Sequence, residues 1–264
     1  MGAMDLVKNH YIKEILARGV REDGRGMFDF RNMKIVPGVI DHAEGSAQVD
    51  LGNTRVLAGV KMQVDEPMPD TPNQGNQIMS AELLPLAHAE YETGPPSPEA
   101  IELARVVDRG IRAANCIDLE GLFLEEGKVW SVFADIYVLN YDGNLFDAST
   151  LAVMAALMNA RVPDYKDGKA DYTNKATPLK INSVVASTTF CKLDRSLLLD
   201  PDMHEEGAAD CRITITTDGE GVRAMQKGMS GSLSTSEIEK LVDLSFDKYR
   251  EVKKKLEESS RRRD

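Results

Sequence analysis

Four segments of the chain carry helical spacing, because apolar residues return there every three or four positions. The second begins with Ser97 as a possible N-cap and Pro98 in the first turn, an order that favours helix initiation. The third is hydrophobic on almost all sides, so we expect it to be buried, with Asp147 as its N-cap. The predicted helices cover residues 5–19, 98–115 and 148–160, and a C-terminal segment opened by the capping-box pair Ser234 and Glu237.

Between these helices the pattern alternates between apolar and polar residues, as it does in half-buried strands. The first three strands are separated by short turns and predict a β-meander. Strands precede helices in each half of the chain, which favours an α+β fold of two similar lobes. The predicted strands are residues 33–36, 47–51, 56–64, 78–86, 129–141, 181–188, 196–199 and 211–217.

A polar stretch at residues 163–178 interrupts the pattern and predicts a boundary between the lobes. We therefore divide the chain into an N-terminal helix and arm at residues 1–24, a first half at residues 25–162, and a second half at residues 163–264 that ends in the C-terminal helix.

Composition narrows the functional classes. The chain has 264 residues, and its 43 acidic against 32 basic residues give a net charge of −11, which argues against a surface that binds nucleic acid over a broad area. No apolar run is long enough for a membrane span and no secretion signal is recognisable, so we predict a cytoplasmic protein without membrane contact. The three cysteines form no CxxC pair and the four histidines lack ligand spacing, so no metal site is predicted.

Three arginines share one side of the second predicted helix, because Arg105, Arg109 and Arg112 stand at positions i, i+4 and i+7. Guanidinium groups in such a row can follow a phosphate backbone. Alternatively they pair within their own helix, since Glu102 lies three positions before Arg105 and Asp108 four before Arg112. Arg109 has the fewest competing partners.

Two further segments are candidates for chemistry. A glycine turn at Gly143 leads into the third helix, a place where free N–H groups often bind anions, but Asp147 and the lack of Ser, Thr, Lys or Arg at residues 144–146 oppose phosphate binding. The acidic run at residues 200–206, followed by Asp210, could bind Mg²⁺ or act in acid–base catalysis, or it could be a solvated loop.

Several of these residues together resemble the RNase PH superfamily and, within it, the non-catalytic RNase PH-like subunits of the archaeal RNA exosome. The resemblance extends from about Ile12 to Leu256. The motifs that carry it are Glu102 to Arg109, Gly127 to Trp130 leading to Asp142-Gly143, Asp200-Pro201 followed by Glu205-Glu206, and Gln226-Lys227-Gly228.

The resemblance implies an RNase PH fold with two βαβ-type halves and mixed sheets packed on helices. It also implies a ring of three heterodimers, in which this chain alternates with a catalytic sister subunit, and a cap of RNA-binding proteins. Such a ring degrades single-stranded RNA from its 3′ end in RNA degradation and processing, and inorganic phosphate is used at the sister subunit.

The departures from the family pattern imply that this chain holds no catalytic residue, metal or cofactor of its own. Active members bind phosphate with Ser or Thr and Arg where this chain has Asn144-Leu145-Phe146. Their catalytic Asp aligns with Arg212 or, after a shift of two residues, with Asp210. The resemblance also implies that Arg105 and Arg109 contact RNA, with Arg112 a weaker candidate.

The alternative is a chain that is itself a phosphate-dependent 3′–5′ exoribonuclease. Asp202, Glu206 or Asp210 would then support catalysis, while Arg105 and Arg109 would hold phosphate.

Overall fold

The computed structural model describes residues 3–175 and 177–260. The α-helices within these ranges are α1 Ala3–Ala17, α2 Pro98–Ala113, α3 Leu145–Met158, α4 Met203–Ala208 and α5 Thr235–Ser260, with a 3-10 turn at Glu120–Leu122. The strands are β1 Met33–Pro37, β2 Gly45–Leu51, β3 Thr54–Asp65, β4 Asn76–Leu83, β5 Phe123–Glu125, β6 Lys128–Asn140, β7 Arg161–Val162, β8 Asp164–Lys166, β9 Lys169–Asp171, β10 Thr177–Pro178, β11 Ala186–Leu193, β12 Ser196–Leu199, β13 Cys211–Thr217 and β14 Val222–Gly228.

The first sheet has the strand order β1-β2-β3-β6-β4, and β5 pairs with β6. β1 to β3 form the predicted antiparallel meander. β4 joins β6 in parallel, and the helix between them, α2, makes the connection a βαβ unit. This half therefore contains the mixed sheet that was expected.

The second sheet has the order β12-β11-β13-β14, and all of its strand pairs are antiparallel. β12 and β13 still run in the same direction, because each is antiparallel to the β11 strand between them, and α4 connects them. The α+β class and the βαβ-type halves are thus confirmed, whereas "mixed" describes the first sheet only.

α3 lies between the two sheets, where it contacts β2 and β3 on one side and β11 on the other. Its side chains from Phe146 to Leu157 are all buried, as the pattern predicts. The prediction of Asp147 as N-cap is wrong, because Asn144 occupies that position with a φ of 53° and accepts a bond from the Asp147 N–H at 3.4 Å. Asp147 points instead into the second half, where its carboxylate accepts bonds from the N–H and hydroxyl of Thr189.

The interpretation of residues 200–206 as a solvated loop is also wrong, because α4 forms there. The Asp202 carboxylate accepts bonds from the N–H groups of His204 and Glu205, and the Glu205 side chain accepts one from the Asp202 N–H. This capping box stabilises a helix of only six residues. β14 was not predicted, and β11 begins at Ala186 instead of residue 181.

The terminal helices close the fold. α1 packs through Ile12 and Leu16 against Leu198 and other apolar residues of the second half. α5 begins as predicted, because Ser234 and Glu237 form the reciprocal bonds of a capping box.

Cys116, Cys191 and Cys211 are free thiols and buried. In the part of the chain that the structure describes, no helix combines the length and apolarity needed to cross a membrane.

The predicted division at residues 24 and 162 stays a prediction. Of the segments that it defines, residues 1, 2, 176 and 261–264 lie outside the described residues.

Candidate RNA-contacting site

α2 presents one apolar face to the core and one polar face outward. Ser97 accepts a hydrogen bond from the Ala100 N–H and starts the helix, and Leu103, Val107 and Ile111 are buried on the inner face. Gly110 lies directly against Thr216 of β13, where an added Cβ would stand 2.8 Å from the threonine methyl carbon. Since the helix packs this closely, its orientation is fixed and the arginines must face away from the core.

The three predicted arginines do lie together on the outer face, with different partners. Arg105 is exposed and makes no hydrogen bond or ion pair within residues 3–175 and 177–260. Arg109 donates to the Gln226 side-chain oxygen at 3.0 Å. Arg112 donates to the Asp108 carboxylate at 2.9 Å and to the Gln77 carbonyl at 2.8 Å.

The alternative of pairing within α2 is therefore confirmed for Arg112 and wrong for Arg105. Glu102, its expected partner, instead lies 3.4 Å from Arg212 and accepts a bond from Gln226 at 3.2 Å. Arg212 and Gln226 lie on strands of the second sheet. Their contacts with Glu102 therefore cannot be predicted from the spacing of residues along one helix. Arg105 is left with its charge unpaired in the described chain.

The arginines line an open groove of about 880 Å³. Gln77 and Met79 of β4, Gln226 of β14 and the acids Glu102 and Asp108 of α2 also line it. β4 and β14 are the outer strands of their sheets among the described residues. Positive groups beside polar and apolar side chains can hold a phosphodiester backbone while tolerating different bases. Three guanidinium groups against two carboxylates leave this lining with an excess of positive charge, which attracts a polyanion.

The turn before α3 is filled by the chain's own polar groups. The Asn144 amide donates to Asp147 at 2.8 Å and to Asp200 at 2.7 Å, so it is not available to a ligand. Burial raises the pKa of Asp147 to about 7, and the nearby Asp200 charge adds to the shift. Although burial acts in the opposite direction, hydrogen bonds from Arg31 hold the pKa of Asp200 below its usual value.

The three acids of the alternative catalytic hypothesis have separate partners. Asp202 caps α4, as described above. Asp210 accepts a bond from Lys13 at 2.7 Å, and this bond lowers the pKa of Asp210. Glu206 is bonded to Arg212 at 2.9 Å. Across residues 3–175 and 177–260, no group of three or more His, Cys, Asp and Glu is placed to hold a metal ion.

The sequence analysis did not predict two ion pairs near the turn before α3. Glu206 and Arg212 are six positions apart on different elements, and Arg21 pairs with Glu205 across 184 positions. The charge run at residues 200–206 was the available signal, but a run of acids does not show which of them are buried.

Sequence comparison identifies relatives over almost the whole chain. The 3′ exoribonuclease (RNase PH) family matches with its domain 1 over residues 29–163 and its domain 2 over residues 183–248. The exosome complex component Rrp42 of Thermoplasma acidophilum is 47% identical over 254 residues, which cover 96% of this chain and 94% of that protein. The Rrp42 component of Archaeoglobus fulgidus is 46% identical over 255 residues, 96% of each chain.

Solved structures of related proteins also match this chain over almost its whole length. A chain of the Archaeoglobus fulgidus exosome with RNA bound to the active site superimposes with a TM-score of 0.90 at 44% identity, covering 96% of this chain and 99% of that one. Rice Rrp46 superimposes with a TM-score of 0.72 at 16% identity, covering 91% and 100%, and shows that the fold extends to a distant protein.

Proposed function

The chain belongs to the 3′ exoribonuclease (RNase PH) family, and we propose that it is an RNA-contacting, non-catalytic subunit of an exosome. The relatives named as exosome components support this role, because the likeness covers nearly the full length of both chains. The likeness to a chain of an exosome that holds RNA, at a TM-score of 0.90, also supports it.

In the assembly that we propose, this chain alternates with a catalytic RNase PH-like sister subunit in a ring of three heterodimers. RNA-binding proteins cap one face of the ring, and inorganic phosphate is used at the sister subunit. We expect the complex in the cytoplasm.

The observation that carries an RNA-contacting role is the arginine face of α2. Arg105 has no partner among the described residues, and Arg109 has one neutral partner, Gln226. An unpaired exposed guanidinium retains its attraction for phosphate, whereas Arg112 is already engaged by Asp108. The proposed RNA contacts are thus Arg105 and Arg109 first, and Arg112 as a weaker contributor.

The non-catalytic role is supported by the turn before α3. Asn144 is committed to two carboxylates, and Phe146 packs its ring 4.4 Å from the Arg212 guanidinium carbon. Phosphorolysis requires positive donors that position phosphate against the RNA backbone. The side chains at residues 144–146 have no cationic group for this task.

The RNA contacts are tested by reversing Arg105 and Arg109 to Glu in the complex assembled with its catalytic sister subunit. RNA affinity should fall, and the slope of log affinity against log salt should flatten by at least about 1.4, since each phosphate contact of a single strand contributes about 0.7. A matched control reverses Arg250 and Lys254, which are exposed on α5.

Unchanged affinity and slope in an intact ring would refute the RNA contacts. Equal losses in the α5 control would show a general charge effect instead of a site.

The non-catalytic role is tested on the purified chain alone. Incubation with oligoadenylate and inorganic phosphate should release no nucleoside diphosphates, whereas the complex with the sister subunit should release them. Turnover by the isolated chain that is lost on Glu206→Gln would support the alternative enzyme.

A further inference from the structure

The carboxylate of Glu206 occupies an unusual position at the start of α3. Its Oε2 accepts a hydrogen bond from the backbone N–H of Asn144 at 2.9 Å and one from the Tyr141 hydroxyl at 3.4 Å. Its Oε1 accepts one from Arg212 at 2.9 Å. Donors from the turn between β6 and α3 in the first half and from β13 in the second half thus converge on a single carboxylate.

Each of the three donors suits an anion. The N–H of Asn144 lies at the positive end of the 14-residue helix α3. Arg212 adds a full positive charge, and its guanidinium is stacked on Phe146 with its side chain only 15% exposed. Burial and the adjacent Glu206 carboxylate raise the pKa of Tyr141, so its hydroxyl stays protonated and can donate.

Glu206 itself is held firmly by α4. The side chain of the preceding Glu205 closes the capping box on Asp202 and pairs with Arg21, and the Arg21 and Glu205 side chains are 0% and 1% exposed. The α4 backbone is therefore anchored on one side by a buried ion pair while Glu206 faces the start of α3.

We propose that Glu206 is an internal anion, which fills an oxyanion-binding position formed by the Asn144 N–H, Arg212 and Tyr141 and keeps free phosphate out of it. The proposal rests on the non-catalytic role and gives that role a second cause: beyond the missing side-chain donors, the remaining donors are already occupied. Removing the carboxylate while leaving its three donors in place should open the position to a small oxyanion.

The test compares the full-length wild type with Glu206→Ala in thermal unfolding, titrated with inorganic phosphate at constant ionic strength. Phosphate at ten times its dissociation constant should raise the Tm of the variant by about 3–6 °C and leave the wild type unchanged. Glu102→Ala is the matched control, because it removes the other acid beside Arg212 but leaves Glu206 in place. A double variant, Glu206→Ala with Arg212→Met, should lose the response.

A folded Glu206→Ala chain without a phosphate response, or an equal response of Glu102→Ala, would overturn the proposal. If Glu206→Ala fails to fold in chloride, recovery of the native circular dichroism spectrum on refolding in phosphate supports the proposal, and failure to recover contradicts it. Phosphate binding is measured without RNA or sister subunit, so its outcome is separate from the tests of the proposed function.

Discussion

Arg21→Ala probes the buried ion pair that ties the N-terminal arm to α4. Arg21 donates through Nε to Glu205 Oε1 at 2.8 Å, and its NH1 and NH2 groups reach the carbonyls of Leu199 at 2.8 Å and Asp200 at 2.9 Å. The substitution leaves the Glu205 carboxylate buried without the positive charge and the hydrogen bonds that Arg21 supplies. Breaking a buried pair by removing one partner costs about 3–5 kcal/mol.

The lower end of that range applies here. Glu205 keeps a hydrogen bond from the Asp202 N–H at 3.0 Å, and Arg25 still donates to the Asp200 carbonyl at 3.2 Å. We therefore expect a loss of about 3 kcal/mol, equivalent to a fall in Tm of about 6–12 °C for a chain of this size.

The assay is urea unfolding of the purified chain, followed by circular dichroism and by the fluorescence of Trp130, the single tryptophan, which is 3% exposed. Arg18→Ala is the control. Arg18 lies three positions before Arg21, and its substitution removes only an exposed i,i+4 pair with Glu14. Such a pair contributes about 0.3–0.5 kcal/mol. Equal losses of stability for the two variants would refute the reasoning.

Two further predictions follow from other sites. Gly143→Ala should destabilise the chain by at least about 2 kcal/mol more than Gly127→Ala in the same assay, because both glycines have positive φ (82° and 75°) but only at Gly143 would a Cβ meet backbone, 2.4 Å from the Asp202 carbonyl carbon. Equal effects would exclude the clash. The pKa of Asp147 is raised from 3.8 to about 7, so the folded chain binds this proton more tightly than the unfolded chain, and the contribution to stability falls as pH rises between these values. Wild type should lose about 2 kcal/mol relative to Asp147→Asn from pH 5 to pH 7, measured by urea midpoints; a constant difference would contradict this.

The local pattern of the sequence was sufficient for most of the elements. The apolar spacing of α2 and α5 and the alternation of β2, β3 and β13 arise from neighbouring residues, so the two faces of each element can be recognised before folding. The same spacing placed Arg105, Arg109 and Arg112 on one face of α2, where the structure has them.

Local pattern was insufficient where two residues suit the same role. Asn144 and Asp147 are both good N-cap types, and the choice between them depends on Thr189, which binds the Asp147 carboxylate from the other half of the chain. Likewise, the acids at residues 200–206 form a charge run that is typical of a solvated surface. Only the packing of α1 and of the turn before α3 against α4 shows that Asp200 and Glu205 are buried.

The sequence by itself thus indicated most of the secondary structure, the family and the candidate RNA-contacting face. The Arg112–Asp108 pair within α2 follows from spacing, whereas only tertiary structure decided the pairing of the other charges: Arg21 with Glu205, Arg212 with Glu206 and Glu102, and Arg105 with none in the described chain. The physical reason is that apolar periodicity is encoded over a few residues. A buried charge, in contrast, needs an opposite charge or a hydrogen-bond donor from another segment of the chain, and the two segments come into contact only when the chain folds.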